Sequence, residues 1–381
     1  MKWEKVEIGQ LGEVITGNTP PRKNPELYGN FIPFIKPTDM EIDRRFTPNP
    51  EEYYSELGYE KYRNSLIPRG ATCVVTIGSI GKKMTQAHCD CFINQAVNAV
   101  IPNENYNKDF VYYLLKNNLG KVKGMDSGTS SGRENVSKSA FSSIEVKVVK
   151  HLPTQRRIAS ILSAYDDLIE NNLKRIKLLE EKLMIEYSIL EEKSKNLKEL
   201  DFSNFVTFAK GIEPGSSYYL SEKSERTIPF IRVGDLSKRG SDIFIEEEKS
   251  KGIICNSEDV LVSMDGTIGI VKYGVFGCYS SGIRKAISNG VLNNAFIFCY
   301  LSSKKIQSVI YSHSKGSTIQ HAGSSINQFK IKLPEEISLN DFIKFSNPIY
   351  DLMNNLLKQN THLRSARDIL LPKLMNGQIE V

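Results

Sequence analysis

Histidine and cysteine crowd together once in this chain, at His88-Cys89-Asp90-Cys91, with Cys73 upstream. Such residues could hold a zinc ion, but no Cys-x-x-Cys pair accompanies them, and the six cysteines have no framework-like spacing. They read as ordinary strand cysteines of a reducing compartment, with no metal site. A second place for chemistry is Asn347-Pro348-Ile349-Tyr350. An adenine methyltransferase holds its extruded base with an Asn/Asp/Ser-Pro-Pro-aromatic loop, and here Ile349 stands where the second proline belongs. The turns Gly78-Ser79-Ile80-Gly81 and Gly266-Thr267-Ile268-Gly269 are too short for a dinucleotide fingerprint, and there is no Walker A loop. His151, His313, His321 and His362 lack carboxylate or serine partners at telling spacings. The chain therefore reads as a binder without catalysis or a cofactor of its own.

What it could bind is suggested by basic and hydroxyl residues in loops that occur twice. Lys36 and Thr38 follow one "IPFI" phrase, and Arg232, Lys238 and Arg239 follow another. Ser79, Lys82 and Lys83 lie in the first glycine turn, opposite Thr267 in the second. Ser130, Arg133 and Lys138 lie in a Gly/Ser-rich segment, opposite Lys315, Thr318 and Gln320. Lysines and backbone amides in such loops suit nucleic-acid phosphates, while Arg and Gln can read base edges. The plainer reading is that the glycines shape turns and the lysines solvate them. A formal charge of +6 and a pI near 8.8 suit a nucleic-acid partner without requiring one.

These loops recur because the chain is a tandem duplication. "LGEVITGNTP" (11–20) answers "FVTFAKGIEP" (205–214), and "SAFSSIEVKV" (139–148) answers "SSINQFKIKL" (324–333). "DDLIENNLK" (166–174) answers "YDLMNNLLK" (350–358). The separation falls from 196 residues between Ile32 and Ile228 to 184 between Asp166 and Tyr350, as loops of unequal length require.

Each copy ends in a helical stretch that must position its loops. Residues 154–200 contain no proline or glycine, and Leu162, Ile169, Ile176, Leu183 and Leu190 recur every seven residues, with Asn172 in the intervening position. The second copy offers Leu352, Leu356, Gln359 and Leu363 at 4-3-4 spacing. One polar residue in each stripe, Asn172 and Gln359, could fix register if the helices pair with each other. Pro348 should kink or interrupt the second helix and Pro372 should end it. If the pair is antiparallel, Leu162 to Leu197 would form a rod of about 50 Å with a globular part at either end.

The expected fold is α/β (α+β): residues 1–151 and 201–335 form two mixed globular domains, followed by helical segments at 152–200 and 336–381. Strands are expected at 31–35, 72–77, 143–149, 227–233, 259–264 and 329–333, and amphipathic helices at 108–122 and 293–311. No apolar run reaches the ~20 residues of a membrane span and no signal-peptide pattern opens the chain, which fits a cytoplasmic protein.

In order and phrasing the whole chain resembles the specificity (S) subunit of Type I restriction–modification systems. The resemblance rests on "WEKVEIG" and "GNTP" (3–20), the twice-used "IPFI", "NQAVNAVIP" (94–102), "LPTQRRIASILSAYDDLIENN" (152–172) and "LLPKLMNGQIEV" (370–381). It implies two target-recognition domains on double-stranded DNA, each reading one half of a bipartite site. It implies helices that set the spacer and dock two methyltransferase (M) subunits, to which restriction (R) subunits add. S-adenosylmethionine, ATP and Mg would then belong to the partners. Copy two departs from the pattern, with "SSGIRKAI" (280–287) in place of "NQAVNAVIP" and "LPEEISLNDF" in place of "LPTQRRIASI". A two-headed scaffold for non-DNA ligands would share the duplication and the helices, but has no reason to combine them with the basic excess.

Overall fold

Runs of branched and aromatic residues bounded by Gly, Pro or Asn form strands where the pattern expects them: Ile32–Ile35, Thr72–Val75, Glu145–Val149, Thr227–Ile231, Val260–Ser263 and Lys330–Lys332. The structure, a computed structural model, describes residues 2–126, 134–314 and 320–381. Contacts divide the chain into two compact units, Met1–Glu170 with Thr361–Val381, and Asn171–Asn360.

In the first unit, Gly12–Thr16, Val97–Pro102, Thr72–Val75 and Met84–Gln86 make an antiparallel sheet in that order. A second sheet contains Ile32–Ile35 running parallel to Phe92–Ile93, and Trp3–Glu7 pairs with Glu145–Val149. The second unit repeats this plan. Val206–Lys210, Ile283–Ser288, Val260–Ser263 and Val271–Lys272 form the first sheet, Thr227–Ile231 runs parallel to Gly277–Tyr279, and Glu199–Asp201 pairs with Lys330–Lys332. Helices Lys108–Asn117 and Asn294–Ser302 start alike: the side chains of Asn107 and Asn293 accept from the N–H groups of Phe110 and Phe296, each at 2.9 Å. Each expected long amphipathic helix is instead two, the second pieces being Leu119–Gly124 and Lys304–Ser312.

The first long helix spans Leu152–Lys193, and the 152–200 segment then leaves it: Leu200 lies in the strand Glu199–Asp201. Leu162, Ile169, Asn172, Ile176, Leu183 and Leu190 are all buried, as a seam requires. The second long helix spans Glu336–Met375, neither interrupted at Pro348 nor ended by Pro372. A proline there removes one helical hydrogen bond, roughly 3 kcal/mol. Phe342, Tyr350 and Met353 bury the same stretch in the core of the second unit, which outweighs that loss.

The seam of the second helix departs from the expected stripe at two of its four positions, each by one residue. Leu356 is buried and Leu363 half-buried, but Leu352 is 38% exposed and Gln359 is exposed, while Met353 and Asn360 are buried. The cause is polarity: the buried face carries Ser346, Asn354, Asn360 and Arg367, which an apolar stripe cannot reveal. In the second unit Asn172 donates to Asn360 at 2.9 Å, the Tyr187 ring meets Phe342 at 6.2 Å, and the Lys182 amine sits 5.3 Å from the Phe345 ring. As numbers rise along one helix they fall along its neighbour, so the pairing is antiparallel. Among the described residues no helix is long and apolar enough to cross a membrane.

Candidate nucleic-acid interface

Each unit brings its repeated loops together through one small strand contact. In the first, Ile77 bridges Asn135, and Gly78 donates its N–H to Glu134 O at 3.1 Å, which puts the turn of Ser79 beside the segment leading to Lys138. In the second, Asp265–Gly266 pairs with Gln320–His321, which puts Thr267 beside Gln320. The two glycine turns are built alike. Their isoleucines, Ile80 and Ile268, are buried, and the flanking glycines take positive φ (86° and 71° at Gly78 and Gly81, 75° and 81° at Gly266 and Gly269). Burial of the isoleucine and reversal at both glycines leave Ser79 and Thr267 exposed at the tips.

A third loop joins this rim through close backbone approach. A Cβ on Gly17 would lie 2.1 Å from Ile93 O, and one on Gly211 would lie 2.1 Å from Ser280 O, so only glycine fits either place. Gly17 donates to Val97 O and Gly211 to Ile283 O, at 3.1 and 3.2 Å. This makes Val97–Pro102 and Ile283–Ser288 equivalent strands, although their sequences did not match. The departure at "SSGIRKAI" is a change of side chains on an unchanged frame.

On that frame the polar groups differ unit by unit. Thr19 donates to Gln95 in the first unit, and Ser281 donates from N and Oγ to Glu213 Oε1 at 3.1 and 2.8 Å in the second. Asn98 accepts from Thr16 at 2.6 Å and donates to Thr76 at 3.2 Å. Its counterpart Arg284 donates to the carbonyls of Ser281 and Ile283 at 2.5 and 3.2 Å and stands 3.9 Å from Asp265. Burial pulls the Arg284 guanidinium below its ordinary value, and the Asp265 carboxylate opposes this. His321 Nδ1 lies 2.8 Å from Asp265 Oδ1. That histidine therefore has the carboxylate partner its sequence neighbours do not supply. Thr19, Gln95, Asn98, Glu213, Asp265, Ser281, Arg284 and His321 were all missed from sequence; the mismatch between the copies at 94–102 and 280–287 was the available signal.

The remaining candidates divide by whether their charge is already used. Lys82, Thr38 and Lys238 are exposed, and Lys138 opens the short helix Lys138–Ser142. Lys83 donates to Pro37 O at 2.8 Å, joining its turn to that of Thr38. Lys36 is ion-paired to Glu51 and Glu52 at 2.9 and 3.2 Å, and the Glu51 hydrogen bond holds its amine above the ordinary value. Arg232 is likewise held up by its bidentate partner Asp235, 2.8 Å away. Arg239 is also engaged: it donates to Tyr273 O and to Glu180 of the first long helix, at 3.1 and 3.2 Å, with its guanidinium 5.1 Å from the Tyr273 ring. Arg44 of the first unit grips Glu170 of the same helix in the same manner, at 2.8 and 3.0 Å. These arginines fasten loop to helix. Ser130, Arg133, Lys315 and Thr318 lie outside the described residues.

The cysteines of the cluster divide by burial: Cys89 is half-buried, 3.4 Å from His88 Nε2, while Cys73 and Cys91 share one core. Cys73 and Cys91 are fully buried among aliphatic side chains, and burial pushes the Cys73 thiol up to about 12, which disfavours the thiolate a metal needs. Tyr350 of "NPIY" is core, and Ile349 packs against that core, so the tetrapeptide is helix rather than a base-holding loop.

The sequence matches the family described as the Type I restriction modification DNA specificity domain twice, over residues 1–181 and 194–361. The Type I restriction enzyme MjaIX specificity subunit of Methanocaldococcus jannaschii is 27% identical over 418 residues, covering all of this chain and 94% of that protein. The Type I restriction enzyme HindI specificity subunit of Haemophilus influenzae is 29% identical over 184 residues, 47% of this chain and 39% of that protein. In fold the chain resembles the crystal structure of the Type-I restriction-modification system S subunit from M. genitalium, with a TM-score of 0.51 at 17% identity over 98% of this chain and 95% of that one. One frame built twice, carrying different polar groups on the same rim, meets a family match that takes up both copies: this protein belongs to the Type I restriction–modification DNA specificity family.

Proposed function

We propose that this chain chooses the DNA sequence for a Type I restriction–modification complex and performs no chemistry itself. Each unit reads one half of a bipartite double-stranded site through its three-loop rim. The observation that carries the reading is the repeated frame with unlike side chains, which is what two different half-sites require of two copies of one reader. Exposed Lys82 and Lys238 suit phosphates, which position the duplex, while the rim's polar groups suit base edges.

The long helices would set the spacing of the half-sites and dock two M subunits, with R subunits joining the assembly. Leu168 and Ile369 in the first unit are 51% and 59% exposed, and their duplication counterparts Leu352 and Ile185 in the second are 38% and 62% exposed. The same apolar pair offered twice fits two copies of one partner better than it fits solvent. S-adenosylmethionine, ATP and Mg would act in those partners, in the cytoplasm. Nothing in the structure favours a scaffold for non-DNA ligands. The test is to replace residues 18–150 with the equivalent segment of a relative, co-express the M subunits, and map methylated sites. One half-site should change and the other stay; a change in both would overturn the reading of independent heads.

A further inference from the structure

The rim of the second unit contains a relay that is absent among the described residues of the first. Arg284, 11% exposed, is anchored on its own strand by two carbonyls and stands 3.9 Å from Asp265. Asp265, 26% exposed, holds His321 Nδ1 at 2.8 Å, and the imidazole is 63% exposed. The corresponding places in the first unit hold Asn98, Ile77 and Asn135. Three side chains from three chain segments thus end in one exposed ring whose second nitrogen, Nε2, is left for a ligand.

Stability does not explain the pair. An exposed histidine–carboxylate contact beside a two-residue ladder contributes about 0–1 kcal/mol. Positioning does: a carboxylate on Nδ1 fixes ring orientation, as a second partner does for histidines that must present one nitrogen in a defined direction. The chemistry also differs between the units at equivalent positions, which is where two readers of different half-sites must differ. We infer that His321, oriented by Asp265, is a specificity-determining contact of the second unit and selects the identity of one base pair in its half-site. Asp265 is a positioning residue, and Arg284 keeps its carboxylate in place. The inference rests on the reading of the units as DNA readers.

The test uses the full chain copurified with the M subunits of its own system, methylating a library of randomised duplexes with S-adenosylmethionine, the base frequencies of modified duplexes being counted. The wild-type complex should select a two-part site. His321→Ala should lower discrimination at one position of one half by roughly ten- to hundredfold, leaving every other position unchanged. Asp265→Asn should weaken the same position and no other. Wild-type selectivity retained in His321→Ala would overturn the role of His321 while leaving the function intact. A wild-type complex without sequence preference would overturn the function itself. Should His321→Ala give an inactive complex, His321→Gln is read in its place, and selectivity unchanged in that variant overturns the inference as well.

Discussion

Arg367 is fully buried against Asp166: Nη1 donates to Oδ1 at 2.5 Å, while Tyr113 donates to the other carboxylate oxygen at 2.6 Å. The duplication carries Asp166 onto Tyr350 and Arg367 onto Leu183, both buried in the apolar core of the second unit. One junction between paired helices is therefore ionic and its copy is oily. Breaking the ionic one by Arg367→Leu strands a buried carboxylate and should cost about 3–5 kcal/mol. Asp166→Tyr added to it should recover most of that loss. Urea unfolding of the two variants checks this, and no recovery in the double variant would contradict it.

Lys82 is exposed beside the first glycine turn, whereas Lys83 is tied to Pro37 O. Lys82→Ala should weaken the assembled complex on all duplexes alike and reduce the slope of log affinity against log salt by about 1. Fluorescence anisotropy across a salt series measures both. An effect confined to one sequence would make Lys82 a base reader instead.

The unit boundaries at 170/171 and 360/361 fall within the two long helices. Four residues added to each helix at those places lengthen the pair by about 6 Å. If the pair is the ruler, the preferred spacer grows by one or two base pairs, at about 3.4 Å each, with unchanged half-sites. Sequencing of methylated sites decides it. An insertion after Lys182 in the first helix alone should instead fail, because Leu183, Tyr187 and Leu190 would leave the core they share with Phe342 and Tyr350.

Cys73, Cys91, Cys255, Cys278 and Cys299 are buried, and burial pushes the thiols of Cys255 and Cys278 up to about 12 and about 11. Iodoacetamide at pH 8 should label Cys89 first, with the other five reacting only in denaturant. Mass spectrometry of the digested protein reads the order.

The duplication, the strands and the seam of the first helix were legible because each is a local pattern: repeated phrases, branched residues, a leucine every seventh place. The seam of the second helix was not, since Asn360 and Arg367 are buried by virtue of partners 188 and 201 residues away. Leu352, apolar and in step with the stripe, faces outward all the same. The loops of the rim were legible as a set, but not their working groups. His321 meets Asp265 across 56 residues through a ladder of two residue pairs, which no spacing rule anticipates. The hold of Arg239 on Glu180, in a helix 59 residues earlier, is equally invisible to spacing.

The first unit is assembled from both ends of the chain, and its core includes Leu371, Leu374 and Met375. A ribosome working from the N-terminus makes residues 1–170 early, yet that head lacks part of its interior until residues 361–381 have emerged. Asp166 meanwhile waits without Arg367. The second unit, one continuous stretch, has every core residue as soon as Asn360 has emerged. The later-made half is thus the earlier to mature, and a product cut short after Asn360 would lose the head that was made first.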